Sequence, residues 1–339
     1  MQRSGVLYRV HLLRQHRHQG LGPYHSRLYA AYHRGDGLRQ LFGAVKNINW
    51  NANRSPNCEK MCYNNGYPIL GTRLGPGSAS AAGTAPALDG HSICNDWMVF
   101  MKIEVYASNT HVSKKDMDGK VVVAVDTLRA ATTIITALHN GCAQIIPVED
   151  VEKAMELAAN MQLNNAVLGG ERNAKKLPGF DFGNSPLEYV PEAIADKTLI
   201  LSTTNGTATI ARAADAKRLY IGALINATAL VEELVRLGED FTILCSGTHG
   251  KFSTDDILTA GCFIHLIRQR KVPLELDDLG RVAEDLYNRA KKGVPKALQG
   301  SAHFERLMSL GLAQDLDYCL TQDITDVIPV FRDGRIVLQ

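Results

Sequence analysis

After its first hundred residues, this sequence predicts a three-layer α/β/α fold with a largely parallel sheet, a helix-rich C-terminal section and a terminal hairpin. Three observations predict it. Short apolar runs such as "KVVVAVD" (120–126), "KTLILST" (197–203) and "DFTILCS" (240–246) alternate with helical patterns. The connections between them are short, as in parallel sheets covered by helices. The chain then closes on "DVIPVFRDGRIVLQ", two strand-like runs meeting at Asp333-Gly334, a dipeptide suited to a tight hairpin turn.

The elements follow in order. "MKIEVYAS" from Met101 alternates like a half-buried strand, and "KVVVAVD" is apolar enough to be buried on both faces. "TLRAATTIITALHNG" reads as a helix ending at Gly141, "AQIIPV" as a strand and "EDVEKAMELAANMQL" as an amphipathic helix. Further strands are predicted at "NAVLGG", "KTLILST", "KRLYIG" and "DFTILCS", with the helix "NATALVEELVRLG" between the last two. A helix-rich section runs from about Ser253 to Asp323.

The first hundred residues are of another kind. They hold 11 Lys/Arg against 4 Asp/Glu, whereas residues 101–339 hold 26 against 31, so the net charge of +2 averages two unlike parts. Stretches such as "RLGPGSASAAGTAPALDG" (73–90) are linker-like and show no sustained period of 2 or 3.6. Residues 1–100 are therefore read as a disordered or spurious N-terminal extension, and residues 101–339 as the functional α/β domain.

Several classes are set aside by what the sequence lacks. There is no G-x-G-x-x-G after a strand and no G-x4-G-K-[ST], so nucleotide binding has no positive support. The net acidic residues 101–339 argue against nucleic acid as a partner. No apolar run reaches transmembrane length, so a cytoplasmic protein with no membrane partner is expected. Cys142, Cys245, Cys262 and Cys319 sit singly beside apolar residues and read as reduced core thiols. Cys58 and Cys62 with Cys94 lack a regularly spaced fourth metal ligand.

Polar residues collect where strands stop, which in an open parallel sheet is where ligands bind. Asp126 ends the strand of "VVVAVDTLRAATT" and Arg129 follows at once, a carboxylate able to hold a divalent cation beside a guanidinium able to grip a phosphate. An N-cap Asp with a surface Arg is the equally good plain alternative. The long block "LGGERNAKKLPGFDFGNSPLEY" (168–189) brings Glu171, Arg172, Asp181, Asn184 and Ser185. A solvated loop accounts for its Lys175 and Lys176 but not for "GFDFGNSP".

The turn "STTNGT" (202–207) sets Thr203, Thr204, Asn205 and Thr207 around Gly206 at a helix start, a cradle suited to phosphate. "CSGTHGKFSTDDILTAG" supplies Ser246, Gly247 and Lys251, then Asp255 as a metal candidate and Asp256 as a capping residue paired with Ser253. Cys245 and Lys251 stand in a C-x5-K spacing near that of cysteine phosphatases. Lysine lacks the bidentate fork of arginine, so Cys245 is read as core.

Taken together, "VDTLRAATTI", "GGERNAKKLPGFDFGNSPLEY", "STTNGT", "GKFSTDDILTAG" and "DYCLTQDITDVIPVFRDGRI" resemble the 2-phosphosulfolactate phosphatase family of coenzyme M biosynthesis, from about Met101 to Gln339. The resemblance implies a Mg2+-dependent hydrolysis of 2-phospho-3-sulfolactate to 3-sulfolactate and phosphate. It implies Asp126, Arg129, Glu171 and Arg172 as catalytic residues, and Asp126, Asp181 and Asp255 as metal ligands. Substrate contacts are expected from Thr203, Thr204, Asn205, Gly206, Thr207, Ser246, Gly247, Lys251, Asn184 and Ser185. A metal-activated water is the preferred nucleophile, with Asp126 as a covalent nucleophile still open.

Ala131 stands where many members have Ser or Thr, which puts the substrate in question more than the fold. Another phosphorylated hydroxy acid is one alternative substrate. A non-catalytic α/β module binding an anionic metabolite is another reading, but it has no use for several carboxylates facing an anionic ligand. A haloacid-dehalogenase-type site would need D-x-D, and Leu128 stands at the second position. The expected partner is a small anionic phosphorylated substrate, with room left for a homodimer.

Overall fold

The computed structural model describes residues 100–160, 165–290 and 293–339. The extension expected over residues 1–100 and the cysteines at 58, 62 and 94 lie outside the described residues. The strands are β1 (Met101–Tyr106), β2 (Val121–Val125), β3 (Gln144–Pro147), β4 (Ala166–Arg172), β5 (Lys175–Lys176), β6 (Thr198–Ser202), β7 (Arg218–Gly222), β8 (Phe241–Cys245), β9 (Leu274–Leu276), β10 (Pro329–Arg332) and β11 (Arg335–Leu338). The helices are α1 (Lys114–Met117), α2 (Ala130–His139), α3 (Val151–Asn160), α4 (Pro191–Ile194), α5 (Gly206–Arg212), α6 (Ala227–Leu237), α7 (Thr254–Gln269), α8 (Asp278–Arg289), α9 (Val294–Leu298), α10 (Ala302–Ser309) and α11 (Ala313–Cys319).

The fold is α/β, and its strands join one sheet in the order β5-β4-β6-β3-β11-β10-β7-β2-β8-β1-β9. β4, β6 and β3 form one parallel block, and β7, β2, β8, β1 and β9 form another. The terminal hairpin forms as expected, with Asp333 and Gly334 both at positive φ. Its place in the sheet is not at an edge. β11 pairs antiparallel with β3 and β10 antiparallel with β7, so the hairpin joins the two blocks.

This insertion reverses the sense of one block relative to the other along the sheet. The two blocks nonetheless pack together, with Val122 and Ala124 of β2 in one apolar cluster with Ile145, Leu199 and Leu201 of β3 and β6. Helix α5 likewise touches both β2 and β3. Between the blocks, α2 is buried along nearly its whole length.

The α2 sequence "AATTIITALH" suits that place. Ile134, Ile135 and Leu138 pack in one cluster with Val122 and Ala124 of β2 and with Ile145, Leu199 and Leu201 of the other block. Each such side chain contributes about 1.5–3 kcal/mol on burial. The α2 threonines need partners to be buried, and they have them: Thr132 Oγ1 donates to Thr127 O at 2.9 Å, Thr133 Oγ1 to Asn184 O at 3.0 Å and Thr136 Oγ1 to Thr132 O at 2.8 Å.

The outer faces are covered separately. Val121, Val123 and Val125, the alternate residues of β2, pack with side chains of α6, α7 and α8. On the other block, Ala154 of α3 packs with Ile200, Ile146 and Leu168. Ala131 sits in the apolar cluster around α2, so a hydroxyl at that position would face the core. Cys142, Cys245, Cys262 and Cys319 are buried and free, as read. Burial pushes the Cys245 thiol well above its ordinary value, which suits core packing and not nucleophilic attack. No helix among the described residues is long and apolar enough to cross a membrane.

Candidate active site

A cleft opens where β2, β4 and β6 end, and α10 closes its far wall. Asp126, Arg129, Glu171, Asn184, Thr203, Thr204 and Asn205 all line it, so the structure brings together residues from three of the sequence blocks. The fourth block reaches it through Thr248 and His249.

Asp126 leaves β2 and is 9% exposed. Its Oδ1 accepts the Ala130 amide at 3.0 Å, so it does cap α2, while Oδ2 lies toward Gly206. Burial raises its pKa to about 6, and the nearby Asp255 and Glu171 charges add to that, against the Ala130 hydrogen bond and His303. Gly206 is required here: a Cβ would stand 2.5 Å from Ala130 Cβ and 3.0 Å from Asp126 Oδ2.

Arg129 is 4% exposed and pairs with Asp315 of α11. Its Nη2 also donates to Ala174 O at 3.4 Å. The other oxygen of Asp315 accepts Ser185 Oγ at 2.7 Å. Ser185 therefore supports the arginine from behind and is not among the cleft-lining residues.

Glu171 is committed to the backbone. One carboxylate oxygen accepts the Thr204 amide at 2.8 Å and the other the Ala174 amide at 2.7 Å. It holds the "STTNGT" turn against the β4–β5 connection. Arg172 turns away from the cleft, donating to Glu171 O and Glu149 O at 2.7 Å and to Ser202 Oγ at 3.0 Å.

The threonine turn is only partly a cradle. Thr203 and Thr207 satisfy each other, with the Thr207 amide donating to Thr203 Oγ1 at 3.1 Å and Thr207 Oγ1 to Thr203 O at 2.9 Å. Those groups cap α5 and are unavailable to a ligand. Thr204 Oγ1 and Asn184 Oδ1 are different: both are buried, line the cleft and have no protein partner. Such orphaned groups are rare because each costs about 1–3 kcal/mol when left unpaired.

Other expected residues stand elsewhere. Asp181 is exposed and its Oδ2 accepts the Leu168 amide at 2.8 Å, which ties the loop after β5 to β4 and leaves Asp181 outside the cleft lining. Lys251 is exposed and pairs through its backbone with Thr248. Ser246 shares a hydrogen bond of 2.7 Å with Thr209 Oγ1. Gly247, at φ 67°, lets the loop turn where a Cβ would meet Lys251 O at 2.3 Å.

The expected Ser253/Asp256 capping box does not form. Asp256 instead accepts the Thr127 amide at 3.0 Å and the Gly247 amide at 2.9 Å, so it staples the turns after β2 and β8 together. Burial, with the charges of Asp255 and Asp126, holds its pKa well above the usual carboxylate range. Ser253 Oγ donates to Asp255 Oδ1.

The residues that the strand-end argument missed come from the C-terminal helices. His303 lies 3.6 Å from Asp255 Oδ1 and 3.2 Å from Thr248 Oγ1 through Nδ1. Burial disfavours its imidazolium, but the hydrogen bond and charge of Asp255 and the charge of Asp126 outweigh it and raise the pKa. Arg306 and Leu307 line the cleft from the same helix. Only Asp315 carried a readable signal: it shares a helix face with Leu312 and Cys319, an apolar stripe on which a charge needs a partner.

The donor set is oxygen-rich and free of thiolates, with Asp126 and the orphaned Asn184 Oδ1 and Thr204 Oγ1 on one cleft. No group of three or more His, Cys, Asp or Glu among the described residues is arranged to hold a metal. The oxygen donors of Asp126, Asn184 and Thr204 are of the kind a hard cation such as Mg2+ takes.

A model of the family described as 2-phosphosulpholactate phosphatase matches residues 106–334. The chain belongs to that family. It is 40% identical over 236 residues to a protein of Caldanaerobacter subterraneus subsp. tengcongensis, covering 70% of this chain and 98% of that one. It is 41% identical over 236 residues to one from Clostridium tetani and 37% identical over 239 residues to one from Clostridium beijerinckii, each covering 70% of this chain and 100% of the relative. All three carry the name "Probable 2-phosphosulfolactate phosphatase". Every cleft-lining residue, from Asp126 to Leu307, falls inside the stretch that matches the phosphatase family.

Proposed function

We propose that this protein hydrolyses 2-phospho-3-sulfolactate to 3-sulfolactate and inorganic phosphate in the cytoplasm, with Mg2+ as its cofactor. The observation that carries the reading is the cleft itself: buried Asp126 and Arg129 face orphaned polar atoms of Thr204 and Asn184 within the family match.

In the proposed reaction a water oxygen attacks phosphorus, the bond from phosphorus to the C2 oxygen breaks, and the leaving oxygen takes a proton. Arg129, held by Asp315, donates to the phosphoryl oxygens as negative charge moves onto them. Thr204 Oγ1 supplies a further donor that no protein group occupies. His303 lines the same cleft and, with its raised pKa, would protonate the leaving oxygen. Mg2+ bound at Asp126 with Asn184 Oδ1 would neutralise phosphoryl charge and polarise the attacking water. Glu171, Asp256 and Arg172 act on the backbone turns that carry these groups.

The test is phosphate release from racemic 2-phospho-3-sulfolactate by the full chain, with Mg2+ and with EDTA. Release with Mg2+ that EDTA abolishes is expected. A folded protein that releases no phosphate under either condition overturns the reading.

A further inference from the structure

Helix α10 places His303, Arg306 and Leu307 in the cleft wall, at the i, i+3 and i+4 spacing of one helical face. The two cationic candidates on that face are in different states. His303 lies deep and is engaged by Asp255 and Thr248. Arg306 is exposed, and its side chain has no hydrogen-bond or ion-pair partner among the described residues.

The other charged groups of the lining are already engaged within the protein. Arg129 is paired with Asp315, both Glu171 oxygens accept backbone amides, and Asp126 accepts the Ala130 amide. Arg306 is thus the one arginine on the lining whose charge no described carboxylate offsets. A simple phosphate monoester is served by Arg129, Thr204 and Asn184 on the inner walls and leaves Arg306 without a role. A substrate with a second strong acid group, on the carbon next to the one that carries the phosphate, gives it one.

We infer that Arg306 is the specificity-determining residue of this cleft, receiving the sulfonate of the substrate, while the phosphate sits against Arg129. The fork of its N–H groups matches two oxygens of such a group, which an ammonium does with less geometric selectivity. Leu307 beside it is apolar and does not compete for the anion. This inference rests on the phosphatase reading above.

The experiment compares 2-phospho-3-sulfolactate with 2-phospholactate, which keeps the phosphate and carboxylate but lacks the sulfonate. Wild type, Arg306→Gln and Arg306→Lys are assayed on both. Arg306→Gln is expected to lower the ratio of kcat/KM between the two substrates by about tenfold, chiefly through KM for the sulfonate ester. Arg306→Lys is expected to restore part of the ratio. A ratio that stays within about twofold of wild type, with both substrates turned over, overturns the inference and leaves the phosphatase reading standing. Wild type inactive on both substrates overturns the phosphatase reading and the subsite with it.

Discussion

Arg129 and Asp315, 186 residues apart in sequence, form an ion pair in which both side chains are about nine-tenths buried or more. The pair joins the turn after β2 to α11, so the last helix of the described C-terminal section is part of how the cleft is built. Removing one partner strands a buried charge. Asp315→Ala is expected to destabilise the protein by about 3–5 kcal/mol and to lower kcat/KM. Urea unfolding reads the first, and an unchanged midpoint would show that Arg129 finds another partner or water.

Asp126 has a stability signature of its own. Its folded pKa of about 6 exceeds the ordinary carboxylate value of 3.8, chiefly through burial, so the folded protein holds this proton more tightly than the unfolded chain. Ionising it therefore opposes folding. The penalty is absent below about pH 4, grows as pH rises, and is complete above about pH 6. Asp126→Asn, which keeps an oxygen for the Ala130 amide, is expected to melt above wild type in EDTA at pH 8, by on the order of 2 kcal/mol, with the gap closing towards pH 4. A gap of the same size at both pH values would refute it.

Mg2+ should act in the opposite direction on that pair of proteins. A cation held at Asp126 stabilises wild type by about 2.7 kcal/mol at a hundred times its Kd, and the Asn variant by much less. Thermal melts with and without Mg2+ decide this, and equal shifts in the two proteins would remove Asp126 from the proposed metal site.

Gly206→Ala tests the packing under the site. The added Cβ would press on Ala130 and on Asp126 Oδ2, so a loss of about 1–3 kcal/mol and a fall in kcat are both expected. A crystal structure of the variant with Asp126 unmoved and full activity would count against the close approach as a functional constraint.

Thr204→Val separates a ligand contact from a structural one. The hydroxyl has no protein partner, so replacing it by a methyl should leave the melting temperature unchanged or raise it slightly. Inhibition by inorganic phosphate should weaken about fivefold or more. If phosphate binds the variant as tightly as wild type, the orphaned hydroxyl serves something else.

Asp181→Ala, by contrast, should behave as a loss of support for β4. Its carboxylate meets the Leu168 amide and not the cleft, so about 1 kcal/mol of stability is expected to go while the Mg2+ dependence of activity stays. A shifted Mg2+ dependence would bring Asp181 back as a ligand.

The sequence by itself determined what depends on neighbours along the chain. Buried strands such as "VVVAV" and "TLILS", the Asp333-Gly334 turn, and polar residues at strand ends follow from local period and turn chemistry. Asp126, Arg129, Thr204 and Asn184 were legible for that reason. Tertiary structure decided everything that depends on which partner a group meets. The hairpin entered the middle of the sheet, and the two parallel blocks packed together across α2. Thr203, Thr207, Arg172 and Asp181 carry the same chemistry as their neighbours in the cleft. They spend it on the backbone, because their hydrogen bonds are satisfied before any ligand arrives. His303 and Arg306 reach the cleft, and Asp315 reaches Arg129 behind it, from helices far along the chain, by a packing that strand-end patterns do not encode.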